Sequence, residues 1–369
     1  MLFYNFRKVI WVCIVIIIAI GLVTLYSASY QNTRVTQQVF YNQLFFSIFG
    51  LVAIFALSYV DYRKYYDIAY IFYIVNILFL IAILVFGRYV LGARRWIEIL
   101  GFNFQPSEFM KLSLILVLAR YFTDYKPNVS FYNPWGRSAF FLDFLFPFAI
   151  TAIPMLLIFK QPDLGTSLLI LGIFFVIVFA SGISMRYLAG FFVLCIVTTP
   201  LLWHLMKDYQ RDRLMVFLNP NIDPLGAGYT IIQSKIAVGS GQIFGKGWLA
   251  GTQNQLNFLP ERHTDFIFSV VGEEWGFIGG VILIACFYLV ILSGLRIVQQ
   301  TKDKFGFLVG VGIVSIFSLQ VIINIGMVLG LFPIVGITLP LISYGRSSFL
   351  VSVLMLGFLL NLHRKHKSL

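Results

Sequence analysis

The sequence predicts an all-α polytopic membrane protein with about ten transmembrane helices, and three observations carry that prediction. Of its 369 residues, 59% are hydrophobic and only 11% charged, and the mean hydropathy is +0.89. A soluble domain carries about 25% charge. Apolar runs recur in windows of about 20 residues, the length a helix needs to cross a hydrocarbon core of ~30 Å. These runs lack the period-two alternation of an outer-membrane barrel, which leaves helices as the way to satisfy the backbone in lipid.

The windows cover approximately 9–26, 41–59, 68–86, 108–122, 141–159, 164–180, 187–205, 266–295, 305–329 and 338–360. The first follows Arg7-Lys8 and ends near Ser27-Ala28-Ser29, a pattern that resembles a signal-peptide cleavage site. Its length and the nine runs that follow argue for a retained span. Cys13, Cys195 and Cys286 all lie in apolar runs without metal-like spacing and read as small buried hydrophobes. A long polar segment, about 206–265, separates the seventh and eighth spans. It is rich in Gly and Pro and too poor in apolar residues for a separate domain, so the chain reads as one domain over 1–369. Within this segment, 214–218 and 229–238 look like short amphipathic helices lying at the interface.

Lysine and arginine set the orientation. With both termini cytoplasmic, Arg7, Lys8, Arg63, Lys64, Arg120, Lys126, Arg137, Arg186, Arg296, Lys302, Lys304, Arg364, Lys365 and Lys367 fall inside, fourteen of the 27 basic residues. Of the thirteen outside, six (Lys207, Arg211, Arg213, Lys235, Lys246, Arg262) lie in the long segment, which the positive-inside rule discounts. The +12 net charge partly reflects this bias, and no basic-aromatic nucleic-acid module is visible.

Six external cations run against the trend: Arg88, Arg94, Arg95, Lys111, Lys160 and Arg346. A lone one would read as snorkelling to headgroups; six, with acids beside them, point to an anion site. Gln105-Pro-Ser-Glu108, Gln161-Pro-Asp163 and Leu339-Pro340 each place Pro where the first turn of a span is expected, which would aim three helix N-termini at the outer surface, where they attract phosphate. Glu108 and Lys111, three apart on one face, are either a self-neutralising pair or the polar lining of a cavity. Asp265 follows Thr264, a good N-cap, and is expected in the first turn of the eighth span. Glu273 and Glu274, about two turns deeper, read as structural acids paired within the bundle, and the Gly276/Gly280 and Gly326/Gly330 spacings as close helix packing.

Several long motifs occur in order: Gly92-Ala-Arg-Arg-Trp96, Phe104-Gln-Pro-Ser-Glu108, Lys160-Gln-Pro-Asp-Leu-Gly-Thr166, Gln233-Ser, Ala237-Val-Gly-Ser-Gly241, Gly251-Thr-Gln-Asn-Gln to Asp265-Phe, and Asn324-x-Gly-Met through Pro333, Gly336, Pro340 and Ser343-Tyr-Gly345. Together they resemble the SEDS family (shape, elongation, division and sporulation) over essentially the whole chain, and the elongation branch more than the division branch. Where the family reads Ser-Tyr-Gly-Gly-Ser-Ser, this chain has Arg346 in the second Gly position.

The resemblance implies a peptidoglycan glycosyltransferase that polymerises lipid II at the outer face of the cytoplasmic (inner) membrane, with a class B penicillin-binding protein as partner. Its essential Asp matches Asp265. The acceptor hydroxyl needs a base, and Asp265 is the candidate; the pyrophosphate leaving group needs positive charge. Arg94, Arg95, Trp96, Glu108, Lys111, Lys160, Asp163, Gln233 and Ser343 are the expected substrate-binding residues. A divalent cation, Mg²⁺ or Mn²⁺, fits this chemistry, with Asp265, Asp163 or Glu108 as candidate ligands; no organic cofactor is implied. The rival reading is a transporter that flips lipid II or another lipid-linked sugar. The chain shows no clear inverted repeat, and its polar residues cluster at one surface rather than the midplane.

Overall fold

The computed structural model describes residues 6–30, 33–90, 93–99, 102–125, 140–206, 208–224 and 226–367. Gly92, Lys126, Arg137 and Lys207 lie outside the described residues, as do the side chains of Arg88, Lys365 and Lys367. Helices dominate. Among the described residues, seven are long and apolar enough to cross a membrane: Phe6–Ser29, Gln38–Leu57, Arg63–Phe86, Phe141–Lys160, Ile267–Gln300, Lys304–Val328 and Arg346–Arg364. Leu164–Ala180 and Met185–Pro200 are shorter apolar helices, and Pro106–Asp124 occupies the position of the fourth expected span. The chain is a multi-pass membrane protein.

It divides into two compact units, one made of Met1–Ile54, Met206–Gly294 and Phe317–Val353, the other of Phe55–Leu205, Leu295–Ile316 and Leu354–Leu369.

In the second unit, α3 (Arg63–Phe86) leads into three short strands, β1 (Arg88–Val90), β2 (Ala93–Ile99) and β3 (Phe102–Phe104), paired antiparallel in the order β1-β2-β3. Tyr89 pairs with Arg94, and Ile97 with Phe104. Sequence reading expects no strand here. The stretch is too polar to be a span, too short to show periodicity, and bonds to itself. Next comes α4 (Pro106–Asp124), with Pro106 in its first turn, where a missing N–H costs nothing. A single π turn, Phe141–Leu145, opens α5 (Phe146–Lys160), followed by α6 (Leu164–Ala180) and α7 (Met185–Leu205). Helix α4 packs on α3 and α6, and α5 on α6. Edge-on rings fill that core, with Phe144 and Phe148 each 5.5 Å from Phe174.

The first unit holds α1 (Phe6–Ser29), most of α2 (Thr33–Leu57), and the long polar segment. That segment folds into α8 (Asp208–Leu218), a 3₁₀ turn (Pro220–Ile222), α9 (Ala227–Ser240) and α10 (Thr252–Gln255). The two helices expected there are present and longer than the sequence suggests.

Helix α11 (Ile267–Gln300) breaks at Gly276, whose φ of 65° and ψ of −161° no helix tolerates. The loop after α9 inserts into the break. The amides of Lys246 and Gly247 donate to the carbonyls of Glu273 and Glu274 (3.0 Å each), while those of Phe277 and Ile278 donate to Gln242 and Ile243 (2.8 and 3.1 Å). A Cβ at position 276 would collide with the Gly245 nitrogen. Helix α12 (Lys304–Val328) is followed at Gly330 by φ of 71°. The helix-packing expectation for Gly276 and Gly330 is therefore corrected, since a left-handed backbone is what requires glycine at both.

The last span starts later than expected. Residues 331–345 are non-helical, and α13 runs Arg346–Lys367. Left-handed backbone at Gly336 and Leu341 (φ 72° and 65°) prevents an earlier start, so Pro340 does not open a helix. Arg346 is the first residue of α13 and needs no positive φ. Its backbone thus accommodates a residue other than glycine.

Candidate active site

Asp265 lies in the turn that leads into α11, two residues before the helix begins at Ile267. This corrects its expected place in the first turn. Thr264 does not cap the helix either: its hydroxyl donates back to Glu261, at 3.2 Å to the carbonyl and 3.0 Å to the carboxylate. The helix dipole therefore holds Asp265 less firmly than an N1–N3 placement would, because that effect fades within a turn.

Three side-chain and backbone donors from the 324–344 region hold the turn, and all three bonds fall on backbone carbonyls. Asn324 Nδ2 donates to Asp265 O (2.8 Å) and also to Ile337 O (2.7 Å). The Ser343 hydroxyl donates to Thr264 O (2.6 Å) and accepts from the Leu339 amide (2.8 Å). The Tyr344 amide donates to His263 O (2.9 Å). Asn324 and Ser343 are buried, whereas Asp265 is half-buried. A Cβ added at Gly336 would stand 3.4 Å from Asp265 Oδ2, so this loop lies directly against the carboxylate. On the other side Arg262 Nε donates to Ala28 O (2.6 Å), tying the turn to the end of α1. Burial pushes the His263 imidazole below its usual pKa.

Gln233 is half-buried on α9. Its neighbour Ser234 bonds Ser269 Oγ (2.9 Å) and donates to Val328 O (2.7 Å), which fixes α9 against the start of α11 and the end of α12.

The remaining expected site residues belong to the second unit. Glu108 and Lys111 form a buried ion pair at 2.7 Å, with side chains 9% and 1% exposed. Asp163 is the N-cap of α6; its oxygens accept from the Thr166 amide (3.2 Å) and hydroxyl (2.9 Å). Pro162 therefore precedes the cap and does not sit in the first turn as expected. Arg95 holds the turn just before that cap, donating to the carbonyls of Gln161 (3.4 Å) and Pro162. Gln161 in turn donates to Leu80 O (3.1 Å). Arg94 is exposed and donates to Leu84 O (3.3 Å); Lys160, at the end of α5, is exposed; Trp96 is half-buried in β2, opposite Arg88. The structure thus gathers Arg95 and Asp163 around one turn next to Lys160, and gathers Asp265 and Ser343 around another.

The sequence by itself points to no role for Tyr344 or Arg262. Asn324 carries a usable signal, because an amide in the middle of an apolar span is expensive unless bonded.

Among the described residues no three His, Cys, Asp or Glu side chains are placed to hold a metal ion. Glu108 is committed to Lys111, and Asp163 to the α6 cap. These residues do not build a metal cage.

A family model described as a cell cycle protein, FtsW/RodA/SpoVE, matches residues 7–368. The peptidoglycan glycosyltransferase MrdB of Escherichia coli K12 is 44% identical over 323 residues, which cover 87% of this chain and 84% of that protein. A chain of a solved peptidoglycan synthase complex that coordinates polymerization and crosslinking superposes with a TM-score of 0.79 at 31% identity, over 97% of each chain. The rod shape determining protein RodA of Thermus thermophilus superposes with a TM-score of 0.69 at 29% identity, over 97% of this chain and 96% of that one.

Proposed function

Because this chain belongs to the FtsW/RodA/SpoVE (SEDS) family, we infer that it is a peptidoglycan glycosyltransferase of cell elongation and shape maintenance. Its substrate is lipid II, which it joins into glycan at the outer face of the cytoplasmic membrane, with both termini cytoplasmic. A class B penicillin-binding protein crosslinks the product beside it. The relative from a complex of polymerization and crosslinking supports that pairing.

The observation that carries the catalytic reading is the Asp265 turn. It is held by its carbonyls, with the acid at the lead-in to α11. The acceptor's sugar hydroxyl attacks the donor's anomeric carbon. The bond from that carbon to the pyrophosphate oxygen breaks, and the lipid pyrophosphate leaves with the electron pair. The proton lost by the hydroxyl passes to Asp265, a general base. Charge develops on the leaving group and calls for a cation beside it; Arg94 and Lys160 are exposed cations of the second unit. Arg95 acts on the Gln161–Pro162 turn and so positions Lys160 and Asp163. Lys111 is neutralised by Glu108 and supplies a rigid polar element in place of a net charge. A divalent cation, when bound, would accompany the pyrophosphate and offset its charge.

The test is polymerisation of labelled lipid II by the purified chain with its transpeptidase partner. Asp265→Asn is expected to cut glycan formation by about 10²–10⁴, the usual worth of a positioned base, while the protein remains folded and partner-bound. Normal polymerisation by this variant would remove Asp265 from the chemistry. Lipid II translocation across vesicles without polymer would restore the transporter.

A further inference from the structure

A cavity of about 290 Å³ opens beside the break in α11, lined by Phe244, Trp248, Glu274, Trp275, Ile278 and Ile282. Glu274 is 2% exposed. Its Oε1 accepts from the Ser27 hydroxyl and from Asn254 Nδ2 (3.2 Å), and the Leu249 amide faces the carboxylate. Its Oε2 is buried and makes no hydrogen bond, and the Trp275 indole N–H is likewise buried without an acceptor. Among the described residues no Lys, Arg or His nitrogen pairs with Glu274, because the nearby Lys246 is spent on Glu273. A buried acceptor and a buried donor, both left unmet on adjacent residues that line one cavity, are each unfavourable unless a ligand completes them.

The walls narrow the chemistry of that ligand. Phe244, Trp248 and Trp275 present aromatic rings, and such faces attract alkylammonium groups. An ammonium would favour the ionised form of Glu274 and pair with it, and an anionic oxygen on the same molecule would accept from the indole N–H. The position along the helix narrows it further. From Phe277 to Gln300, α11 is roughly 36 Å long at 1.5 Å per residue, enough by itself to cross a core of ~30 Å. The break therefore lies at headgroup depth, where Trp side chains belong. Beyond it, Phe277, Ile278 and Ile282 are exposed apolar side chains, 69%, 42% and 48%.

We propose that this cavity is a specific site for a phospholipid whose headgroup is an aminoethyl phosphate, as in phosphatidylethanolamine. The ammonium sits among the rings against Glu274 Oε2, a phosphate oxygen accepts from the Trp275 indole, and the acyl chains follow the exposed face of α11. The proposal concerns a lipid held beside the break and stands apart from the role given to Asp265.

The test is native mass spectrometry of the full chain released from nanodiscs of equimolar phosphatidylethanolamine and phosphatidylglycerol, repeated with phosphatidylcholine in place of the ethanolamine lipid. The wild-type chain is expected to retain one ethanolamine lipid about tenfold over the glycerol lipid, with the trimethylated lipid between them, since it keeps the charge and loses the N–H donors. Glu274→Gln should bring the ratio near one. Trp275→Phe, which keeps the ring and removes only the donor, should lower it severalfold. Equal retention of all three headgroups by the wild-type chain overturns the proposal, and so does an unchanged preference in Glu274→Gln. Should Glu274→Gln fail to fold, the headgroup series on the wild-type chain and on Trp275→Phe decides alone.

Discussion

Asp265 and Glu273 stand eight residues apart, one in the turn before α11 and the other within it, and the protein handles them in opposite ways. Glu273 is fully buried, and its carboxylate is saturated. It takes Lys246 Nζ (2.8 Å), the Thr252 hydroxyl (3.2 Å), and the amides of Gln253 and Asn254 at the start of α10 (2.9 and 3.2 Å). Asp265 is half-buried, and the bonds that hold its turn fall on the carbonyls of residues 263 to 265. One acid spends its oxygens to hold a loop in place. The turn of the other is gripped through its main chain. The difference teaches that an acid can be fixed in position through the carbonyls around it as well as through its own carboxylate.

The largest expected effects come from exchanging these roles. Asp265→Asn should lose about 10²–10⁴ in polymerisation with an unchanged melting curve. Glu273→Ala should do the reverse at first. It strands Lys246 and the two α10 amides, and breaking a buried, bonded pair costs about 3–5 kcal/mol, toward the lower end here because Lys246 is 26% exposed. The thermal midpoint should fall well before turnover per folded molecule does. A Glu273→Ala protein that melts normally yet makes no glycan would break the comparison, because Glu273 would then be acting on substrate.

A smaller effect is expected at Asn324. Its amide bridges the carbonyls of Asp265 and Ile337, and neutral bonds of this kind are worth about 0.5–1.5 kcal/mol each. Asn324→Ala should lower kcat about tenfold while leaving KM for lipid II near its wild-type value, the signature of a displaced base with intact binding. A rise in KM with kcat unchanged would make Asn324 a binding residue and weaken the idea that the grip on the turn's backbone presents Asp265.

Much of this was legible in the sequence, and the exceptions share a cause. Hydropathy located the membrane helices because lipid allows few other structures, and the family motifs singled out Asp265. What stayed hidden depends on partners distant in the chain. The break at Gly276 exists because residues 242–247 supply its missing backbone bonds, and nothing within an apolar run announces such a partner. The late start of α13 reflects left-handed residues that hold Ser343 and Tyr344 against the Asp265 turn. The site residues near Arg95 were identifiable by type. Their jobs were not, because Asp163 as a helix cap and Asp163 as a ligand look the same in one dimension.

The smallest effect is the one that isolates the backbone clamp. His263 gives its carbonyl to the Tyr344 amide, and burial lowers its imidazole pKa from the usual 6.5. The closed turn therefore disfavours the protonated ring, whereas an opened turn lets it titrate normally. Above pH 6.5 both forms are neutral and the clamp has its full strength. As pH falls from 6.5 through the lowered value, the open turn takes up the proton first, and the clamp weakens. Polymerisation should accordingly decline on the acid side sooner than titration of Asp265 alone would cause, and His263→Gln should remove that early decline while leaving the neutral-pH rate close to wild type. The same acid limb in His263→Gln would mean that the loss belongs to the carboxylate itself, and that the clamp is indifferent to the charge of the residue it grips.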